Sequence, residues 1–561
     1  MDGAGAILQR TIGLLGIGLL GAALTACSSP AAPVTSPPAP EAGTITPRVN
    51  RLVLATVAPA AAEANDMGNL TAPEVWPLRP MYESLFGVDP DTGKTIPQLA
   101  TAWKVEPDGS SYRVMLRKGV QFQKGYGEFT SADLLPAFKE RTSLDYIHGT
   151  ALYWRRTVTN IEIAGQYEAV YRLPKPDANF LTVYASEQSG SMLLFSKAHF
   201  EAQGRPNMQA QPPAGTSPYA FESRKQGEYV RYARVPFEHW RTRPDFPEFE
   251  FRWVREASTR LAALLAGEVQ LADLPPDLLD QATKQNFKLV RGRVPGLRAF
   301  VQYVCCTFVD LKDPSKGYTY PDTPLRDVRV RRALAKATNG DALNKAFFRG
   351  KGEPMINSPF HPKRIGWNPE WEKAFLEEYG YDPAKAKALL AEAGYGPDKP
   401  FQTTFIIGAA TGFSGAEDVG EAIAAQWRAI GVQVDLINPD PNTRNANLRA
   451  IKYANHMMVS GTGSDIWTGL HFADTYGNTG SSPQVAELEP FLPQIEQTLD
   501  PQKSEDLWRR AGDVVFKSHQ YIPLFWLPVE IAYDPKTVAD YAFPGAITGS
   551  WTHVQNIKAA K

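Results

Sequence analysis

Apolar and polar positions change their spacing along the chain, and the changes outline its elements. "RLVLATVA" (51–58) carries the β-branched alternation of a strand. In "WKVEPDGSSYRVMLRKG" (103–119), Trp103 and Val105 alternate with polar residues before Asp108-Gly109, and Tyr112, Val114 and Leu116 do so after it. Two period-two runs around Asp-Gly predict a hairpin. "FTSADLLPAFKE" (129–140) then predicts a helix, with Thr130 as N-cap and Asp133 three residues later closing the box. Up to about residue 320 the pattern mixes hairpins with short helices.

From about 325 the period becomes helical. In "PLRDVRVRRALAKATNGDALNKAFFRG" (324–350), Asp327 is read as the cap of a helix ending at Asn339-Gly340, and Asp341 as the cap of a second running to Gly350. "YDPAKAKALLAEAGY" (381–395) repeats the device, with Asp382 as cap, Pro383 in the first turn and Gly394 as terminator. "FQTTFIIG" (401–408) is a strand, 416–430 a helix with Val419, Ile423, Trp427 and Ile430 on one face, and "GVQVDLI" (431–437) a strand again. That succession is a βαβ unit, which implies parallel strands covered by helices.

The N-terminal pattern is different in kind. "GLLGIGLLGAALTACSSP" (13–30) contains the spacing GxGxxG at Gly16, Gly18 and Gly21, but prolines at 30, 33, 37, 38 and 40 occupy the place of the strand and helix that a dinucleotide turn needs. The apolar stretch from Thr11 to Ala26 is shorter than the ~20 residues of a membrane span, follows Arg10 and ends in small residues, the layout of a secretory signal. Leu24-Thr25-Ala26-Cys27 resembles the bacterial lipobox, whose cysteine is lipidated and becomes the new N-terminus. The expectation is a signal peptide over 1–26, then Cys27 and a Pro/Ala-rich spacer over 27–49 that holds a folded body off a membrane.

Composition narrows the rest. A length of 561 residues exceeds the ~250–300 at which one core stops growing, so two or three domains are expected. Lys plus Arg is 59 against 60 for Asp plus Glu, which gives no case for a nucleic-acid partner. Besides Cys27 only the adjacent Cys305 and Cys306 remain, too few for a disulfide framework and read as reduced, buried strand residues. The eight histidines are scattered, and no HExxH or CxxC occurs, so no metal site or cofactor is expected. "GFSGAEDVG" (412–420) is not GxSxG, "GTGSD" (461–465) lacks the lysine of a phosphate loop, and no catalytic constellation assembles. Trp76, Trp240, Trp467 and Trp551 lie in loop-like segments, where each is either packing or part of an amphipathic ligand cleft.

Six segments in order resemble family 5 of the extracellular solute-binding proteins of ABC importers. They are 81–125, with "MYESLF" and the "DGSSYRVMLRKGVQF" hairpin, "GTSPYAFES" (215–223), "VPFEHW" (235–240), "RLAALLAGEVQLADLPPD" (260–277), "TPLRDVRVRRALAKATN" (323–339) and "AIAAQWRAIGVQVDL" (422–436). The resemblance implies an α/β, two-lobed periplasmic-binding-protein fold (type II, cluster C) with an inserted domain. Lobe I would comprise 50–86, 212–297 and 526–561, domain II 87–211 and lobe III 298–525. It also implies hinge closure on a ligand between lobes I and III, a monomer working with ABC permease subunits, and no covalent chemistry.

Peptide-binding relatives pair an Asp of a lobe III loop with the ligand's α-ammonium; in "VSGTGSDIWTGLHF" (459–472), Asp465 holds the matching place, with Trp467 beside it. Tyr82 and Glu83 match the family's YE pair at the lobe edge, and Tyr303 lies in the hinge strand. These five are the expected ligand contacts. Dipeptide binders also carry an Arg just after the strand equivalent to "FIIG", whereas "GAATGFSG" (408–415) has none, which points to a longer or modified peptide. A sugar, a nickel complex or another small solute stays open as an alternative ligand, as does a secreted enzyme or surface protein reusing the fold.

Overall fold

The structure is a computed structural model. It describes residues 46–561 apart from 60–62, 71–74, 147, 149, 189–191, 295, 305–316, 409–412, 414, 463–486, 489 and 546–550. The readings placed on Cys27, the Cys305-Cys306 pair, Asp465 and Trp467 therefore lie outside the described residues.

Strands are numbered β1–β21 in chain order. One sheet of seven runs β12 (Lys288–Arg291), β19 (Glu530–Tyr533), β11 (Leu271–Ala272), β1 (Arg51–Thr56), β10 (Glu248–Trp253), β9 (Tyr229–Arg234), β8 (Tyr219–Lys225). A second, of six, runs β14 (Glu353–Pro354), β18 (Tyr521–Leu527), β13 (Leu297–Tyr303), β17 (His456–Thr462), β15 (Gln402–Ile406), β16 (Gln433–Ile437). A third, of four antiparallel strands, runs β4 (Ala100–Val105), β5 (Ser111–Leu116), β7 (Glu168–Arg172), β6 (Asn160–Gly165). Two ribbons complete the set, β2 (Phe86–Val88) with β3 (Thr95–Pro97) and β20 (Val538–Tyr541) with β21 (Ile557–Ala559).

Local chemistry accounts for the elements. The hairpin of β4 and β5 turns on Gly109, whose φ of 74° is open to glycine at no steric cost, while the Asp108 carboxylate accepts from the Ser110 and Ser111 amides. Thr130 and Asp133 form the capping box, first as a 3-10 turn and then as the helix Leu134–Thr142. Asp327 and Asp382 accept from the amides of Arg329 and Lys385 at the starts of their helices. One cap differs from the sequence reading. Asn339, not Asp341, caps the helix Gly340–Phe348 by accepting from Ala342 N, and Asp341 falls in its first turn, where an acid suits the helix dipole.

The βαβ unit forms as read. β15 and β16 pair in parallel around the helix Ala416–Ala429, whose Val419, Ile423 and Trp427 are buried without exposure. Trp427 packs tilted against Phe405 of β15, ring centroids 4.8 Å apart, and donates its Nε1 to Thr338 Oγ1 and the Leu334 carbonyl, which locks the helix to both neighbours. The second sheet is nevertheless mixed: β15 runs parallel to β16 and β17, whereas β13 is antiparallel to β17 and β18. The antiparallel members arrive because the chain enters from, and returns to, the first sheet.

Those two crossings position everything that follows. The chain leaves the first sheet at Arg291, enters the second at Leu297, and comes back from Leu527 to Glu530. In the first sheet β1, β10 and β11 are parallel and β19 is antiparallel to β11 and β12, so both crossings leave from the edge where β1, β10 and β11 end. In the second sheet Leu297 pairs with Leu527 and Arg298 with Thr462, so both crossings meet the edge where β15, β16 and β17 end. Each sheet thus turns the carboxyl ends of its parallel strands toward the other. Gly296 permits the crossings to touch, since a Cβ there would fall 2.0 Å from the Leu527 carbonyl oxygen.

Candidate functional site

In open α/β sheets, ligands collect beyond the carboxyl ends of parallel strands, because the backbone there diverges into loops and leaves a crevice. Here two such edges face one another. On the first sheet the edge carries Thr56 at the end of β1 and Asp273 just past β11, level with each other because Ala55 pairs with Ala272. Thr56 Oγ1 donates to Asp273 Oδ2 at 2.8 Å, and Trp551 Nε1 donates to Thr56 Oγ1 at 3.2 Å and reaches the same carboxylate. Thr56 and Trp551 are buried, whereas Asp273 stays partly accessible.

Arg260, on the crossover helix Ala257–Leu265, holds this edge from behind. Its Nε donates to the Asp273 carbonyl at 2.5 Å and its Nη1 to the carbonyls of Val254 and Arg255 at 2.7 Å each. Burial pushes the Asp273 carboxyl up, and Arg260 and the donors from Thr56 and Trp551 only partly offset it.

The segment that delivers Trp551 is itself anchored. His553 Nε2 lies 3.0 Å from Glu187 Oε1, the Val88 amide donates to the same oxygen at 2.6 Å, and Arg79 donates to the Glu187 carbonyl. Although burial opposes ionisation, His553 and Arg79 hold the Glu187 carboxyl down to about 2. On the second sheet the facing edge is formed by Ile406, Ile437 and Thr462, with Arg298 beside Thr462 in the ladder and its Nη1 donating to Ser358 Oγ at 3.0 Å. Asp465 and Trp467 follow Thr462 by three and five positions, outside the described residues.

Of the other residues singled out from sequence, Tyr82 and Glu83 are buried and bonded internally. The Tyr82 hydroxyl donates to the Pro213 carbonyl at 3.0 Å. The Glu83 carboxylate accepts from Arg241 Nη2 at 2.8 Å and Trp240 Nε1 at 3.1 Å, with His239 Nε2 at 3.7 Å. Burial opposes its ionisation, but Arg241, His239 and Trp240 outweigh burial and hold the carboxyl below its usual range. Tyr303 ends β13 with its hydroxyl 3.4 Å from the Arg331 carbonyl. Since Arg298 is the residue opposite Thr462, Tyr303 stands roughly 16 Å along the strand from that edge. The structure does not bring Tyr82, Glu83 and Tyr303 into one cluster with the strand ends.

Three of the four loop tryptophans are packed. Trp76 sits edge-on to Phe251 at 4.8 Å, Trp240 lies under the Arg117 guanidinium at 4.1 Å, and Trp551 is 5.8 Å from Phe543. The trio Thr56, Asp273 and Trp551 escaped the sequence reading because its members lie 217 and 495 positions apart. The signal for Asp273 was available: a carboxylate directly after the short apolar end of a β–α–β crossover.

Among the described residues, no group of three or more His, Cys, Asp or Glu is placed to hold a metal ion, and no helix is long and apolar enough to cross a membrane.

Two α/β bodies joined by paired crossings, with strand ends converging on one crevice, define a two-lobed binding protein. Residues 94–484 match the family described as bacterial extracellular solute-binding proteins, family 5 middle, and the chain belongs to that family. It is 26% identical over 494 residues to the dipeptide-binding protein of Escherichia coli (strain K12), covering 81% of this chain and 85% of the relative. Its fold resembles the oligopeptide-binding protein AppA from Bacillus subtilis in complex with a nonapeptide, with a TM-score of 0.72 and 18% identity over 91% of this chain and 99% of that one. It also resembles NikZ from Campylobacter jejuni in complex with Ni(L-His), with a TM-score of 0.71 and 17% identity over 91% and 99%. As a member of this family it is a binding protein of a transport system and not an enzyme.

Proposed function

We propose that this protein captures peptides in the crevice between its two large sheets and delivers them to the permease of an ABC importer. The observation that carries the reading is the convergence of two carboxyl edges on one crevice, in a chain whose similarity to a dipeptide-binding protein extends over 81% of its length. The domains are those of the resemblance. Lobe I, 50–86 with 212–297 and 526–561, is built on the first sheet, lobe III, 298–525, on the second, and the inserted domain II, 87–211, on the third. Asp465 takes the peptide's α-ammonium, with Trp467 beside it, and closure about the two crossings encloses the ligand. Longer or modified peptides are favoured over simple dipeptides, because residues 408–415 supply no arginine for a dipeptide's carboxylate.

The body is tethered to a membrane by a lipid on Cys27, through the spacer 27–49, and works outside the cytoplasm as a monomer. A small chelate or sugar is the second reading, favoured by the likeness in fold to a protein solved with Ni(L-His).

A ligand that binds only the folded state raises its stability by ~2.7 kcal/mol at a hundredfold excess over Kd. Pools of synthetic di- to nonapeptides should therefore raise the melting temperature of residues 46–561 by a few degrees, most for the longer peptides. No shift with any pool, together with a shift from nickel–histidine or a sugar, would replace this reading by the second.

A further inference from the structure

Among the described residues, Asp273 is a carboxylate with more acceptor capacity than its neighbours use. A carboxylate offers about four lone-pair sites, and Asp273 is met by donors from Thr56 and Trp551. Arg260, the nearest cation, is directed by its three bonds at the carbonyls of Asp273, Val254 and Arg255 rather than at the carboxylate oxygens. The Asp273 side chain nevertheless remains partly accessible, while Thr56 and Trp551 beneath it are closed off from solvent. Asp273 stands just past β11, at the edge from which both crossings depart toward the second sheet. A half-enclosed anion of this kind binds a cationic donor more strongly than an exposed one does, because less water screens the pair and the donor completes an unsaturated acceptor.

We infer that Asp273, oriented by Thr56 and Trp551, forms a subsite on the first sheet that takes a cationic group of the ligand, a lysine ammonium or an arginine guanidinium. The subsite rests on the peptide reading and adds to it a preference for basic side chains. It is distinct from Asp465, which follows β17 of the other sheet by three positions in the sequence. Thr56 and Trp551 are positioning residues: they fix the carboxylate's rotamer and leave its outward oxygen to the ligand.

The test uses an equimolar synthetic pentapeptide library. Residues 46–561 are incubated with it, separated by gel filtration, and the retained peptides are sequenced by mass spectrometry. Wild type should enrich peptides carrying Lys or Arg about tenfold over matched norleucine peptides. Asp273→Asn should still retain peptides but lose that enrichment, with Asp273→Ser giving the same readout should Asp273→Asn fail to fold. Thr56→Val keeps the carboxylate but removes the donor that orients it, so it should still retain peptides with a basic enrichment between those of wild type and Asp273→Asn, and an enrichment equal to wild type would overturn the positioning role of Thr56. Peptides retained by wild type without basic enrichment, or equal enrichment in wild type and Asp273→Asn, would overturn the subsite and leave the peptide function standing. No retained peptide at all would overturn both.

Discussion

Single side chains in this protein set its response to pH. Asp177 is buried, with the Tyr153 hydroxyl donating to its Oδ2 at 2.5 Å and the Asn179 amide to its Oδ1 at 2.8 Å. Burial first, and then the Glu496 carboxylate nearby, push the Asp177 carboxyl up to about 6, against the donors from Tyr153 and Asn179 and the charge of Lys175. A carboxyl whose folded value lies above its unfolded value of ~3.9 holds its proton more tightly when folded. The folded state therefore loses stability through this group as pH rises from ~4 to ~6, and carries the full penalty above that. Asp177→Asn removes the ionisation. At pH 7.5 the variant should be more stable than wild type by on the order of 2 kcal/mol in urea unfolding, and the gain should shrink to nothing near pH 4. A difference that does not change with pH would show that Asp177 is not the titrating group.

Residue-scale chemistry was also where the sequence was read unevenly. Thr130, Asp327 and Asp382 announced their caps because the partner amide lies two or three positions away. Glu83 was singled out because it matches the family's YE pair, and the donors that meet its carboxylate, Trp240 and Arg241, lie 157 and 158 positions on, beyond any local pattern. The bond between Asp273 and Thr56, 217 positions apart, could not be read either, since it is a product of strand order rather than of spacing.

At the scale of elements, the paired crossings decide how the two large sheets can move. Gly292 lies against Gly545, and a Cβ built on it would sit 2.7 Å from the Gly545 Cα, while one on Gly296 would sit 2.0 Å from the Leu527 carbonyl oxygen. Backbone contacts this close cannot yield as a side chain would, so a methyl group on Gly296 must separate the crossings, and one on Gly292 must push the first crossing away from the segment that follows β20. Gly296→Ala should lower the urea midpoint, by about 2–4 kcal/mol of stability, and weaken peptide affinity by shifting the sheet edges apart. Binding and stability equal to wild type would contradict the role of this contact.

A second link bridges the third sheet's body and the second's. The Ala178 amide donates to the Glu496 carbonyl at 2.6 Å, and Lys175 pairs with the Glu496 carboxylate, at the helix Phe491–Gln497. The hairpin, the capping box and the βαβ unit were legible because each is closed within ~40 residues. The seven-stranded sheet was not, since its members come from residues 51 to 533 and the order β12-β19-β11-β1-β10 is set by two crossings that no local pattern spells out.

For the whole molecule, address and mechanism belong together. A binding protein that serves a membrane importer gains effective concentration from a tether, which the proposed lipid on Cys27 would supply. One acyl chain binds a bilayer only marginally, so the proposed anchor calls for several chains on Cys27. Cys27→Ala, expressed in a bacterial host, should move the protein from the membrane pellet to the soluble fraction. A variant that stays in the pellet would contradict the lipid anchor. The family itself was legible from the order of six short segments, whereas the ligand was not, because in the proposed reading the residues that select it lie on loops past strand ends where composition is free to vary.

The central claim is that a peptide lies between the carboxyl edges of β1 and β11 on one side and of β17 on the other. A crystal structure of residues 46–561 with a bound pentapeptide containing a central lysine tests it most directly. The account predicts continuous peptide density between Asp273 and the stretch that follows Thr462, with the lysine ammonium within hydrogen-bonding distance of the Asp273 carboxylate. Peptide density elsewhere on the molecule, with the space between the two edges filled only by solvent, would contradict it.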